Sequence, residues 1–113
     1  MESPHLSPRL SVLPRCSVAG HEVRRATGYR TRLLGLSWLS RERAGSGLLI
    51  PRCGSVHTFG MRFALDLVFL DRSGRPLSIR RGVPARRFAW QRGAAAVLEI
   101  PSRQGGEFAV PRT

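Results

Sequence analysis

The apolar positions of this chain fall in short clusters separated by Gly, Pro, Ser and Arg, a pattern that predicts short strands with frequent turns rather than long helices. Leu10 to Val12 and Val18 to Val23 read as extended, with Ala19-Gly20 as a turn inside the second. Between Thr27 and Leu39 the period changes. Tyr29, Leu33 and Leu36 recur at spacings of four and three, which places them on one face of a helix over about residues 28–36, with Thr27 as its cap. Gly35 interrupts that helix, and Ser37, Ser40 and Glu42 predict a short second helical turn. Gly45-Ser46-Gly47 reads as a flexible connector, Leu48-Leu49-Ile50 as a strand closed by Pro51, and residues 52–60 as a loop. Leu65 to Leu70 is the strongest strand, apolar on both faces except for Asp66. Asp71-Arg72-Ser73-Gly74 is a hairpin turn, Leu77 to Ile79 the returning strand, and Gly82 to Pro84 its break. Phe88 to Gln91 and Ala94 to Ile100 are further strands, and an edge strand is expected around Phe108 to Val110. The expected fold is mainly β with an α+β margin: a small β-sandwich or partly open barrel, with one short helix and a helical turn packed at its side. Residues 1–8 are expected as a disordered tail and residues 9–113 as a single domain.

Composition narrows the function classes. A chain of 113 residues, 42% hydrophobic, has room for one modest core and is too apolar to be disordered throughout. That length excludes a multidomain enzyme, and a membrane channel is excluded because no apolar run approaches the roughly 20 residues needed to span a bilayer. Two cysteines, Cys16 and Cys53, make no disulfide framework. The N-terminus has two prolines and no apolar core of a signal peptide, so a cytoplasmic location is expected. The net charge is +12, and every cationic residue is arginine. Those arginines are spread along the chain rather than gathered in a basic tail, so nonspecific polyanion affinity is expected. A nucleic-acid-binding protein is the alternative that rests on this charge.

Several residues carry candidate chemistry. His57, in a glycine-bearing loop, is a candidate general base or ligand contact. Cys53 lies four residues earlier, and a thiol nucleophile with His57 as base and Asp66 as orienter would make a hydrolase or thiol enzyme. No Cys-x2-Cys or His-x3-His pattern offers a metal site, and no phosphate loop implies a cofactor. Asp66 and Glu99 each interrupt an apolar strand, where a bare carboxylate costs several kcal/mol. They are expected either as a carboxylate pair for acid–base work or as two ion pairs, with Arg32 and Arg62 as partners; the ion pairs are preferred. Arg32, Arg41 and Arg62 are positioned to line an anion-binding cleft. Met61 alternates with Phe59 and Phe63 in a core-like pattern at the edge of the same loop. Trp38 and Trp90 are candidates for stacking on a ligand, a sugar or a base among them.

The segment from His57 through Thr58-Phe59-Gly60-Met61-Arg62-Phe63-Ala64-Leu65-Asp66-Leu67-Val68-Phe69-Leu70 to Asp71 resembles the signature of the domain-of-unknown-function family 192. Arg32-Leu33-Leu34-Gly35-Leu36 followed by Arg41, then Gly47-Leu48-Leu49-Ile50, then Val97-Leu98-Glu99-Ile100-Pro101 resemble further family pieces in the family's order. The resemblance covers about residues 18–101 and implies a mainly β, sandwich-like fold with short helices at its side, without implying an activity. Unlike many members, the chain shows no signal sequence, and its short C-terminal stretch puts sheet closure in question. Together these readings point to a noncatalytic module binding a small molecule or a protein partner. Its site is expected near residues 53–66 and is drawn from Arg32, His57, Met61, Arg62, Asp66 and Glu99.

Overall fold

The computed structural model describes residues 5–103, so the edge strand expected around Phe108 to Val110 lies outside the described residues. In chain order the elements are α1 (Pro8–Ser11), β1 (Arg15–Val18), β2 (His21–Arg25), α2 (Gly28–Leu34), α3 (Arg41–Ala44), β3 (Leu48–Pro51), β4 (Ser55–His57), β5 (Leu65–Leu70), β6 (Pro76–Val83), β7 (Phe88–Trp90) and β8 (Ala96–Pro101). One sheet runs β1-β2-β3-β8-β5-β6, and β4 pairs with β7 in a separate two-stranded sheet. Neighbours are antiparallel except β2 and β3, between which α2 and α3 form the crossover that a parallel pair needs. The mainly β expectation therefore holds.

Alternation along the strands sorts the core. Leu48, Ile50, Leu65, Leu67, Phe69 and Val97 are buried together with Leu10, Leu36 and Phe63. Val56 of β4 and Ala89 of β7 join the same cluster, so the small sheet caps this face of the large one as in a sandwich. Val23, Val68, Leu70 and Leu98 form a second cluster with Cys16 and Val18. The sheet curls around it: a Cβ on Gly74, in the β5–β6 turn, would stand 3.7 Å from Val18 Cγ2. The outer strands β1 and β6 are not hydrogen-bonded to each other, so the curl stops short of a barrel. Among the described residues no helix is long and apolar enough to cross a membrane.

Four local expectations change. Leu10 to Val12 is helical rather than extended, because Pro8 starts a turn that buries Leu10 and Leu13, a helical spacing, and exposes Val12. Leu6 packs against the core and Ser7 is buried with its amide donating to Arg43 O, so ordered packing begins before residue 9. Within the 52–60 loop, β4 pairs in register with β7. The β6 strand runs through Gly82 to Val83, accommodated by register shifts against β5.

The arginines do structural work that the charge pattern did not reveal. Arg9 donates to the carbonyls of Gly35 (3.0 Å) and Ser37 (2.6 Å), beyond the end of α2. Arg24 does the same for Ser11, the last residue of α1, and for Leu13 just past it. Arg80 donates to Trp90 O and stacks over Phe69, 4.9 Å from its ring centroid. These guanidinium groups satisfy carbonyls that helix ends and loops would otherwise leave unpaired.

Candidate functional site

The apolar stripe of α2 does not enter the core. No residue of α2 is buried; Tyr29 is 80% exposed and Leu33 54%, whereas Leu36, past the helix end, is wholly buried. Across from them, β7 turns Ala89 inward and leaves Phe88 (78% exposed) and Trp90 (66%) on the outside. Between α2 and the β4–β7 pair lies a cleft of about 500 Å³, lined by Tyr29, Arg32, Leu33, Gly35, Cys53, Val56, His57, Phe88, Trp90 and Glu99, among others. The helical period was read correctly, but its apolar face lines a cleft instead of packing on the sheet.

Glu99 forms the floor. It is 2% exposed, on the core face of the central strand β8, and its Oε1 has no hydrogen-bond partner. A backbone hydrogen bond from Leu36 reaches the carboxyl, but burial dominates and pushes its pKa up to about 8, so the group is protonated near neutral pH. Gly35 covers it closely: a Cβ there would stand 2.5 Å from Glu99 Oε1. The expected ion pair with Arg32 or Arg62 is not formed. Arg32 donates through Nη2 to Arg52 O at 2.9 Å, and its Nε is buried without a hydrogen-bond partner.

Register separates the two acids. Asp66 stands opposite Ile100, and Glu99 opposite Leu67, so the two side chains leave opposite faces of the sheet. That rules out the carboxylate pair. Asp66 Oδ1 accepts the Gly82 N–H at 2.8 Å, and Arg81, not Arg32 or Arg62, stands 3.7 Å from Oδ2. Asp66→Ala is expected to cost about 1–2 kcal/mol by leaving a half-buried N–H unpaired. Asp66→Asn, which keeps an acceptor, is expected to cost less than half of that; urea denaturation of both variants measures the difference.

The thiol–imidazole dyad is not assembled either. The Cys53 thiol donates to Ser55 O at 2.8 Å. His57 Nδ1 accepts the Phe59 N–H at 3.2 Å, which places the ring proton on Nε2, and Nε2 then donates to Leu33 O at 3.1 Å. His57 thus ties β4 to the last turn of α2 and holds one wall of the cleft. Met61 is buried in the core (6% exposed), and neither it nor Arg62 lines the cleft. Of the predicted residues, Arg32, Cys53, His57 and Glu99 converge there; Met61, Arg62 and Asp66 do not. Trp90 is on the rim, and Trp38 packs instead against Gly60. Sequence reasoning missed Tyr29 and Phe88 as rim residues. The one local hint was the Phe88-Ala89-Trp90 alternation, in which the smallest side chain is the one that faces the core. Among the described residues no cluster of His, Cys, Asp or Glu is arranged to hold a metal ion.

The family model described as Uncharacterized ACR, domain of unknown function 192, matches residues 15–110. The chain belongs to domain-of-unknown-function family 192. All the cleft residues lie inside the part of the chain that the family model matches. A crystal structure of a protein of unknown function from Novosphingobium aromaticivorans DSM 12444 has a similar fold, with a TM-score of 0.58. That protein is 16% identical, and the alignment covers 86% of this chain and 87% of the other. No curated protein matches the chain.

Proposed function

We propose that this family member is a binding module whose site is the cleft between α2 and the β4–β7 pair, and that it holds a small molecule with an apolar body and one polar head group. The observation that carries this reading is Glu99: a buried carboxyl with an unpartnered oxygen, at the bottom of a cleft rimmed by exposed aromatic side chains. Apolar walls with a few convergent polar groups and a perturbed carboxyl are the ordinary composition of a ligand site. Binding is favoured over catalysis because Cys53 and His57, the groups with nucleophile and base chemistry, are each engaged by main-chain partners.

A neutral aromatic alcohol, 3-phenylpropanol, tests the cleft itself. Titrated into the full chain, it is expected to shift the NMR signals of Tyr29, Phe88 and Trp90 together. Trp90→Ala is expected to weaken it about tenfold, as the loss of one stacked aromatic contact does. Val12→Ala, which changes an exposed side chain outside the cleft, is the control and should change nothing. Shifts scattered over the surface, or an affinity indifferent to Trp90, would remove the reading.

A further inference from the structure

We infer that the protein also binds single-stranded nucleic acid, whose bases stack on an exposed aromatic band running from Trp38 through Phe59 and Phe88 to Trp90. The band shares Phe88 and Trp90 with the rim of the cleft, whereas Trp38 and Phe59 lie outside the cleft lining, so the inference does not rest on the cleft being a binding site. Contacts place the four rings in order along one surface. The Trp38 N–H donates to Gly60 O at 2.8 Å, and a Cβ on Gly60 would stand 3.0 Å from Trp38 Cε2, which seats the indole beside Phe59. Phe59 meets Phe88 edge-on, with ring centroids 5.2 Å apart. Phe88 and Trp90 are alternate residues of β7 and leave the same face of that strand. Like these two, Trp38 (69% exposed) and Phe59 (43%) stand in water. Trp38 is held there at φ +69, a conformation that a bulky side chain rarely adopts, so neither core packing nor backbone preference accounts for an indole at that position.

The charge around the band has one sign. The amides of Arg86 and Arg87 donate to Thr58 O and Thr58 Oγ1, which holds these two exposed residues beside the Phe59–Phe88 pair. At the other end the Arg80 guanidinium donates to Trp90 O. None of the described carboxylates joins them. Glu22 and Glu42 line a separate pocket beside β1 and β2, and Asp71 is in the β5–β6 turn. Asp66 leaves the face of the large sheet away from β4 and β7, and Glu99 is buried. Flat rings flanked by cations, in a chain of net charge +12, are complementary to bases joined by phosphates. A duplex keeps its base faces inside the stack, so the single strand is the form that fits. An acidic peptide would match the charge and leave the repeated flat rings unexplained.

The test uses a labelled oligothymidylate of about 12 nucleotides, an abasic strand with the same phosphates, and the same oligonucleotide in duplex form. Each is titrated with the full chain by fluorescence anisotropy at about 150 mM salt. The oligothymidylate is expected to bind at least about tenfold more tightly than the other two, as stacking of one or two bases provides. The chain's two tryptophans both belong to the band, so binding should also quench their fluorescence. Trp38→Ala and Phe88→Ala should each weaken the oligothymidylate about tenfold and leave the abasic strand unchanged. An oligouridylate of the same length offers the same base faces and phosphates, and this pattern in either polymer sustains the inference. Trp38→Ala should not alter binding of 3-phenylpropanol, so the band and the cleft stand or fall separately. Equal affinity for the oligonucleotides and the abasic strand, or indifference to both substitutions, overturns the inference and leaves only a nonspecific attraction between charges. Displacement of the oligothymidylate by a Glu- and Leu-rich peptide at lower concentration than by unlabelled oligothymidylate overturns it in favour of a protein partner.

Discussion

Gly47→Ala is expected to be the most damaging small substitution in the chain, costing about 3 kcal/mol and lowering Tm by roughly 10–15 °C. Gly47 sits at φ +134, immediately before β3, and a Cβ there would stand 2.6 Å from the main-chain O of Glu99 and 3.3 Å from Val23 Cγ1. The first of these neighbours is backbone in the central strand of the sheet, so relief requires β3 and β8 to separate. Gly20→Ala is the comparison that isolates the steric part. Gly20 also has positive φ (+80), but nothing stands within 4 Å of its would-be Cβ. Only the backbone cost of about 1 kcal/mol is expected there. Thermal and urea denaturation of the two variants decide it; similar losses would mean that the close approach of Gly47 to Glu99 is not a constraint.

A second large effect is a stability that declines with rising pH. The Glu99 carboxyl has a pKa of about 8 in the fold, against 4.5 as the ordinary value, with burial as the main cause. Between those two values the folded chain binds a proton that the unfolded chain has released, so ΔG of unfolding falls as pH rises. The contribution is fully present below the unfolded value and is lost by the time pH passes 8, a loss on the order of 4 kcal/mol. Glu99→Gln removes the titration and should flatten the curve. The measurement is urea denaturation of both proteins at pH 5 and pH 8.5, read as the difference between them so that other groups cancel. Parallel pH dependences would show that Glu99 is solvated rather than buried.

How far the sequence discloses this molecule depends on whether a residue's role is local. The hairpin turn was legible because Asp71 makes it alone: its Oδ1 accepts from Ser73 N, Ser73 Oγ and Arg75 N. These bonds, the Ser73 side chain foremost, hold the Asp71 carboxyl below its ordinary pKa. The β5 strand was legible because its apolar run is almost unbroken, and Glu99 stood out because it interrupts another. What stayed hidden depends on the third dimension. Asp66 and Glu99 looked equivalent, and only the β5–β8 register shows that they leave opposite faces. The Tyr29–Leu33–Leu36 stripe had the right period but no indication of what lay opposite, and two of its three members turn out to be exposed. Gly45-Ser46-Gly47 looked flexible, yet Gly47 lies against the backbone of a strand far along the chain. The Cys53–His57 spacing suggested a dyad, while the actual partners are main-chain groups that no side-chain motif can announce.

The place of β8 has a consequence for how the chain is made. It is the last strand in the described sequence and yet lies in the interior of the large sheet, paired with β3 on one side and β5 on the other. Order of synthesis and order of assembly are therefore opposed. Until Ala96–Pro101 has left the ribosome, β3 and β5 each present an apolar strand with an open hydrogen-bonding edge, and the two halves of the sheet have nothing to join them. A nascent chain halted before that point is exposed to aggregation through those edges, and folding of the sheet is completed only after nearly the whole described chain has been synthesised.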